Sequence, residues 1–318
     1  MHLSAEQRDR ARGAVLGSAV GDALGAAYEF GCAAVGPEGP EMLGGGLGGF
    51  EPGEWTDDTA MAWCILDVAA TRADLGSDAA LTEIAHRFRE WYDGGPADIG
   101  NQTRAVLGAA GEAPSAGALT QAAHDLHAQT GRSAGNGSLM RTAPVALRFL
   151  DDPEALAAAA RRISALTHVD QQAQDACVLW SAAIAQAIVE GEFDVRTGLA
   201  LLAPAQAESW AELIDAAESE DPATFQPNGW VVTAFQAAWS AIAQTPVPAQ
   251  DPRQHFSVAL DTVIRIGDDT DTTAAIAGAL LGAKWGASAV PQRWRRVLHG
   301  YPGIAADELS RLVDLAVG

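Results

Sequence analysis

Four glycines, Gly13, Gly17, Gly21 and Gly25, recur at every fourth position of a stretch that otherwise reads as a helix. Each glycine inside a helix costs roughly 1 kcal/mol relative to alanine, so a row of them along one face needs a compensating reason. That reason is a neighbouring backbone packed closer than side chains would allow. The apolar positions Leu16, Ala19, Val20, Ala23, Leu24 and Ala27 mark one face of this helix, and Ser4 followed by Gln7 forms a capping box at its start. The helix is expected to be central and to end near Glu29.

Alanine-rich segments with Leu, Val and Ile at helical spacing continue to the C-terminus. Helices are predicted over residues 57–72, 78–92, 115–129, 139–150, 153–167, 169–190, 205–218, 231–243, 253–266, 270–285 and 304–317, with a further one after Asn101. Pro144 should kink or interrupt the 139–150 segment. Convincing strand alternation and fixed-period repeats are absent, and the breaks at 221–227 and 245–252 read as ordinary loops. The expectation is one all-α domain over residues 1–318. Residues 31–53 are too rich in glycine and proline for regular structure; a loop of that length in a compact domain reads as a mobile lid or a binding loop.

With 20 basic residues against 41 acidic ones, the net charge of −21 argues against nonspecific duplex binding and against docking to an anionic membrane. No segment approaches the ~20 uninterrupted apolar residues of a membrane span, and the charged N-terminus is unlike a signal peptide. Cys32, Cys64 and Cys177 fall in no paired or metal-type spacing and read as inert thiols. A cytoplasmic location is the simplest expectation.

Two acidic clusters stand out, Trp55-Thr56-Asp57-Asp58-Thr59 and Gly267-Asp268-Asp269-Thr270-Asp271-Thr272-Thr273, each just before a helical run. Taken singly, the first is accounted for by helix capping. The second carries three aspartates in four residues, more than one helix end uses. Together Thr56, Asp57, Asp58, Asp269, Asp271 and Thr272 offer four carboxylates and two hydroxyls, a hard-oxygen set suited to Mg²⁺ or Mn²⁺ rather than zinc or copper. Without cations such carboxylates would repel; two divalent ions would balance them.

Other candidates admit two readings each. Gly135-Asn136-Gly137-Ser138 is either a loop with a helix cap or a turn whose N–H groups approach a diphosphate, and Arg141 behind it either adds charge or pairs with an acid. His168 reads as a capping or packed histidine. Asp22 shares a helix face with Glu29; it is read as bonding a neighbouring loop, whereas Glu29, at the lid junction, is better placed for chemistry.

In chain order, Gly13-Ala14-Val15-Leu16-Gly17, Gly21-Asp22-Ala23-Leu24-Gly25, Trp55-Thr56-Asp57-Asp58-Thr59, Asp98-Ile99-Gly100-Asn101, Gly135-Asn136-Gly137-Ser138-Leu139-Met140-Arg141, Thr167-His168 and Asp269-Thr270-Asp271-Thr272 form a set. By this set the chain resembles the ADP-ribosylglycohydrolases. The resemblance implies an all-α orthogonal bundle with two Mg²⁺ or Mn²⁺ ions on Thr56, Asp57, Asp58, Asp269, Asp271 and Thr272. It implies Glu29 on a mobile loop near the metals, and Asp98 and Asn101 as the substrate-side pair of the branch that reverses arginine modification. Ser133, Gly135, Asn136, Gly137 and His168 match positions lining the diphosphate and ribose, with Ser138 closing the same turn. Trp230 stands where relatives carry an aromatic, and is as readily a core residue.

The sequence departs from the family pattern at Asp268, where many relatives have glycine, and at Ala134, where some have an aromatic that packs on the nucleotide. The implied function is removal of ADP-ribose from an ADP-ribosylated protein, from arginine ahead of serine or another acceptor, with Glu29 or Asp98 handling the proton. A noncatalytic ADP-ribose binder or a structural relative is the different class of answer, and the intact Asp57, Asp58, Asp269 and Asp271 argue against it.

Overall fold

Helix α1 (Ala5–Gly25) starts with its capping box closed: the Ser4 hydroxyl accepts from Gln7 N at 3.1 Å, and Gln7 Oε1 accepts from Ser4 N at 3.0 Å. The computed structural model describes residues 2–318, and thirteen more α-helices follow among them. They are α2 (Asp57–Ala70), α3 (Asp78–Asp93), α4 (Asn101–Ala109), α5 (Ala116–Thr130), α6 (Ala143–Ala146), α7 (Pro153–Ala165) and α8 (Gln171–Glu190). The chain continues through α9 (Pro204–Ser219), α10 (Val231–Gln244), α11 (His255–Ile266), α12 (Thr270–Trp285), α13 (Gln292–Val297) and α14 (Ala306–Val317). A short antiparallel pair, β1 (His299–Gly300) with β2 (Ile304–Ala305), sets His299 opposite Ala305. None of these helices is long and apolar enough to cross a membrane, among the described residues.

The glycine row of α1 lies on α12. Gly13 faces Gly282, Gly17 faces Gly278, Gly21 faces Ala274 and Gly25 faces Thr270, so the two helices run antiparallel with their backbones touching. A Cβ added at any of the four would overlap backbone atoms of α12, and Gly278 and Gly282 answer with the same constraint from the other side. Fourteen residues of each helix are buried, and α12 is apolar all round, as a helix at the centre of a bundle must be. Trp180 of α8 ties this centre to the outer layer. Its indole N–H donates to Ile276 O at 3.0 Å, and its ring meets Phe235 of α10 edge-on at 5.0 Å. The buried apolar residues form one cluster running from Ala11 to Ala316.

The 139–150 segment is not one helix: only Ala143–Ala146 is helical, with Pro144 in its first turn, after a 3-10 turn at Asn136–Ser138. Proline lacks an N–H and clashes with the carbonyl four residues back, so a helix can start there but cannot run through. The first helix likewise stops as α-helix at Gly25 and continues as 3-10 turns over Ala26–Gly31, interrupted at Glu29 and at Phe30, which has φ +46°.

Candidate metal centre and active-site cleft

The packing of α1 on α12 brings the C-terminal end of one against the N-terminal end of the other. Thr270 Oγ1 donates to Gly25 O at 2.8 Å, filling one of the carbonyls that a helix end leaves open. Asp22, one turn earlier on α1, is fully buried and reaches the start of α2. Its carboxylate accepts from Thr56 N at 3.0 Å, from Thr59 N at 2.9 Å and from the Thr59 hydroxyl at 2.6 Å. Thr56 caps nothing with its own side chain; Asp22 does this from across the interface. Three helix ends thus meet, with Glu29 just beyond α1, Asp57 and Asp58 opening α2, and Asp269 and Asp271 opening α12.

At the junction Asp58 Oδ2 accepts from Thr56 Oγ1 at 3.0 Å and, more distantly, from Thr272 Oγ1 at 3.5 Å. Its other oxygen, Oδ1, is buried and has no hydrogen-bond partner among the described residues. Oxygens of Asp22, Asp58 and Asp271 lie within 4.8 Å of one another, as do those of Glu29, Asp269 and Asp271. The charges acting on Asp58 and Asp271 are other carboxylates, and burial with this repulsion raises both well above the usual range. Burial first, then Asp269 and Asp98, pushes Glu29 up to about 8; burial and Asp98 push Asp57 up to about 7. An orphaned buried carboxylate oxygen among converging hard donors is what a divalent cation satisfies, so these residues fit one.

The carboxylates form one wall of a cleft of about 410 Å³. Glu29, Asp57, Asp98, Asp269, Asp271 and Thr272 line this side; Gly135, Asn136, Gly137, His168 and Gly229 line another, with Asn101 and Gln102 from the start of α4. Asp57 Oδ2 accepts from Gly100 N at 3.2 Å, which joins the α2 cluster to the Asp98-to-Asn101 segment. Asn136 Nδ2 donates to Asp269 Oδ2 at 2.8 Å and to Asn228 O at 3.0 Å, so its amide spans the glycine turn and the acidic wall.

Several expected residues stand elsewhere. Thr56 and Asp58 lie behind the acidic wall rather than on the cleft surface. Ser133 is buried, with its Oγ 2.6 Å from His127 Nδ1, and Ser138 is buried with its Oγ accepting from Ser164 Oγ at 2.9 Å. Both serines hold the turn from beneath instead of lining the cleft, their hydroxyls being taken up by His127 and Ser164. Trp230 is neither core nor cleft lining: it is 45% exposed, and its indole N–H donates to Gln172 Oε1 at 3.0 Å.

Asn228 went unrecognised in the sequence. It is fully buried; its Oδ1 accepts from Asp269 N at 2.9 Å, its Nδ2 donates to Gly267 O at 3.1 Å, and its N donates to Asp268 Oδ2 at 2.8 Å. This one side chain shapes the loop that presents Asp269 and Asp271. Its only signal was the Asn-Gly pair at 228–229, which reads as a turn. Asp268 adopts φ +66°, a conformation that favours glycine, and its carboxylate is fixed by Asn228 while its carbonyl accepts from Phe30 N at 2.7 Å. Asp268 therefore acts as a backbone anchor linking the Glu29 segment to the α12 cluster.

The family model described as ADP-ribosylglycohydrolase matches residues 3–317. The chain is 30% identical over 304 residues to the ADP-ribosylarginine hydrolase Tri1 of Pseudomonas putida (strain GB-1), spanning 92% of this chain and 75% of that protein. It is 28% identical over 297 residues to the ADP-ribosyl-dinitrogen reductase glycohydrolase of Rhodospirillum rubrum, spanning 90% of this chain and 89% of that protein. A solved structure described as an ADP-ribosylglycohydrolase-related protein complex superposes with a TM-score of 0.72 at 29% identity, covering 98% of each chain.

Proposed function

The chain belongs to the ADP-ribosylglycohydrolase family, and from that premise we propose that it releases ADP-ribose from ADP-ribosylated protein by hydrolysing the N-glycosidic bond to arginine. The observation that carries the reading is the acidic wall, backed by the buried and orphaned Asp58 oxygen, facing a glycine turn across a cleft of about 410 Å³. Thr56, Asp57, Asp58, Asp269, Asp271 and Thr272 would hold two divalent ions, Mg²⁺ or Mn²⁺, which when bound supply Lewis acidity toward ribose hydroxyls and water.

Cleavage of a ribosyl bond builds positive, oxocarbenium-like character at the anomeric carbon, and it needs a positioned water and a protonated leaving group. A proton must also be held near the scissile bond. Glu29 and Asp98 both line the cleft, and either carboxyl group is placed for that role. Asp98 lies on the cleft surface at the edge shared with Asp57. A carboxylate there suits a guanidinium, which is planar, cationic and rich in paired donors; a serine hydroxyl offers no such match. The names of two relatives, both ADP-ribosylarginine hydrolases, point the same way.

The test is to incubate the protein with arginine-, serine- and glutamate-linked ADP-ribosyl peptides in Mg²⁺ or Mn²⁺ and to measure free ADP-ribose. Release from the arginine-linked peptide is expected. Release from the serine- or glutamate-linked peptide alone would refute the acceptor assignment, and ADP-ribose binding without release from any would make the protein a noncatalytic binder.

A further inference from the structure

Arg141 is fully buried behind the glycine turn, and no carboxylate reaches ion-pair distance of it among the described residues. Its guanidinium stands 4.7 Å over the Phe88 ring, Nη1 meets Met61 Sδ at 3.4 Å, and Nε has no partner among the described residues. Burial pulls it down to about 10, so it remains charged at neutral pH. A buried cation without a counter-ion is costly, and the cleft chemistry described above makes no use of it. Its one short hydrogen bond runs from Nη2 to Thr167 Oγ1 at 2.7 Å.

Thr167 Oγ1 has one other partner among the described residues, His168 Nδ1 at 2.7 Å. An arginine only donates, so Thr167 accepts from it, and the single hydroxyl hydrogen is left for Nδ1. The opposite arrangement, with Nδ1–H donating to Thr167, would strand that buried hydrogen without an acceptor. Nδ1 is therefore the acceptor, and the imidazole proton sits on Nε2. Both residues are pinned: Gln102 Nε2 donates to Thr167 O at 2.9 Å, and His168 N donates to Ser164 O at 2.8 Å. The Nε2 edge looks onto the turn, since a Cβ at Gly137 would come to 3.2 Å of Nε2 and one at Gly135 to 3.4 Å. The glycines leave this nitrogen open to the cleft.

We propose that Arg141 is a positioning residue: through Thr167 it locks His168 in the Nε2–H tautomer, so that the imidazole presents a fixed donor to an oxygen of the ADP-ribosyl group lying along the Gly135-to-Gly137 turn. Burial, with Arg141 adding to it, holds the imidazole down to about 3, so the donor is neutral. The ligand half rests on the function proposed above; the tautomer half does not.

The tautomer is read in the free protein by ¹⁵N-histidine NMR, with the His168 signals assigned by their loss in His168→Asn. Nε2–H is expected in the wild type and in Thr167→Ser, which keeps the hydroxyl. Thr167→Val, and Arg141→Met, which removes the donor at similar volume, should give a mixture of tautomers and bind ADP-ribose about tenfold more weakly by calorimetry, the scale of one buried hydrogen bond. An Nδ1–H signal in the wild type, or an unchanged tautomer in both Thr167→Val and Arg141→Met, overturns the relay. A shifted tautomer with unchanged affinity overturns the assignment of Nε2–H to the ligand. Wild type that does not bind ADP-ribose refutes the proposed function, and the free-protein spectra then still decide the relay.

Discussion

Stripped of divalent ions, this protein should lose stability as pH rises from 5 to 8, and Asp57→Asn should remove part of that loss. Burial and the neighbouring Asp98 push Asp57 up to about 7 from 3.8. The folded state keeps the proton through a window in which the unfolded chain releases it. The contribution is thus fully present below about pH 4 and lost as pH climbs through 7. At ~1.4 kcal/mol per unit the shift corresponds to about 4 kcal/mol, and partial solvation of the group brings the expected effect to about 2 kcal/mol. Glu29, raised to about 8, and Asp22, raised to about 6, act with the same sign. Asparagine keeps an acceptor for Gly100 N and nearly the same volume, so it deletes the charge alone. Urea unfolding in EDTA at pH 5, 6, 7 and 8 should show a wild-type decline that is flatter by about 2 kcal/mol in the variant, with the variant more stable at pH 8. Excess Mg²⁺ or Mn²⁺ should restore the wild type more than the variant. The net charge of −21 adds a repulsion common to both proteins, so the difference between them carries the information. Equal slopes, or a variant less stable than wild type at pH 8 in EDTA, would refute the reasoning.

Gly17→Ala should destabilise by ~1–3 kcal/mol despite the gain in helix propensity, because its Cβ overlaps the Gly278 carbonyl; a raised urea midpoint would contradict this packing. Residues 31–53 should gain hydrogen-exchange protection when ADP-ribose binds, since Leu47 lines the cleft; equal protection with and without ligand counts against a lid. Asp98→Ala should lower turnover of arginine-linked ADP-ribose about 10- to 100-fold, the scale of a charged hydrogen bond, while calorimetry shows ADP-ribose affinity nearly unchanged. If turnover and affinity fall together, Asp98 serves the ribose side instead.

What could be read from the sequence follows from how far each signal extends along the chain. The predicted 270–285 helix coincides with α12, because its sixteen residues are rich in alanine and leucine and a glycine follows the last of them. Helix α13, six residues long, and the β1–β2 pair, two residues per strand, are too short to show any period and were missed. The acidic residues that meet at the junction were legible because carboxylates at apolar helix ends need a reason. That Ser133 and Ser138 brace the turn was not legible, since a polar residue in a glycine-rich turn looks the same whether it faces the cleft or supports the turn. Asn228 and the Arg141 relay were hidden for a related reason: their partners are backbone groups or residues far along the chain, which leave no local pattern.

The glycine row and the acidic cluster, which look like separate features of the sequence, are one device. Close approach of α1 to α12 is what lets Thr270 reach Gly25 O, and this contact lies between Asp22 and Glu29 on one side and Asp269 and Asp271 on the other. A side chain at Gly25 would meet Thr270 and Asp271 backbone atoms, so it would push apart the two ends that carry the carboxylates. Asp22 then extends the same rigid element to α2, setting Asp57 and Asp58 by bonds to Thr56 and Thr59. Mutual repulsion would otherwise spread these groups; backbone-on-backbone packing, which has no rotamers to relax, holds them together before any cation arrives. Changing a glycine at the Gly13 end should therefore cost stability with little effect on divalent-ion affinity, whereas Gly25→Ala should weaken both, and isothermal titration with Mn²⁺ beside urea unfolding would separate them. Equal losses of Mn²⁺ affinity at the two ends would mean that the cluster is assembled by the ions and not by the helix pair.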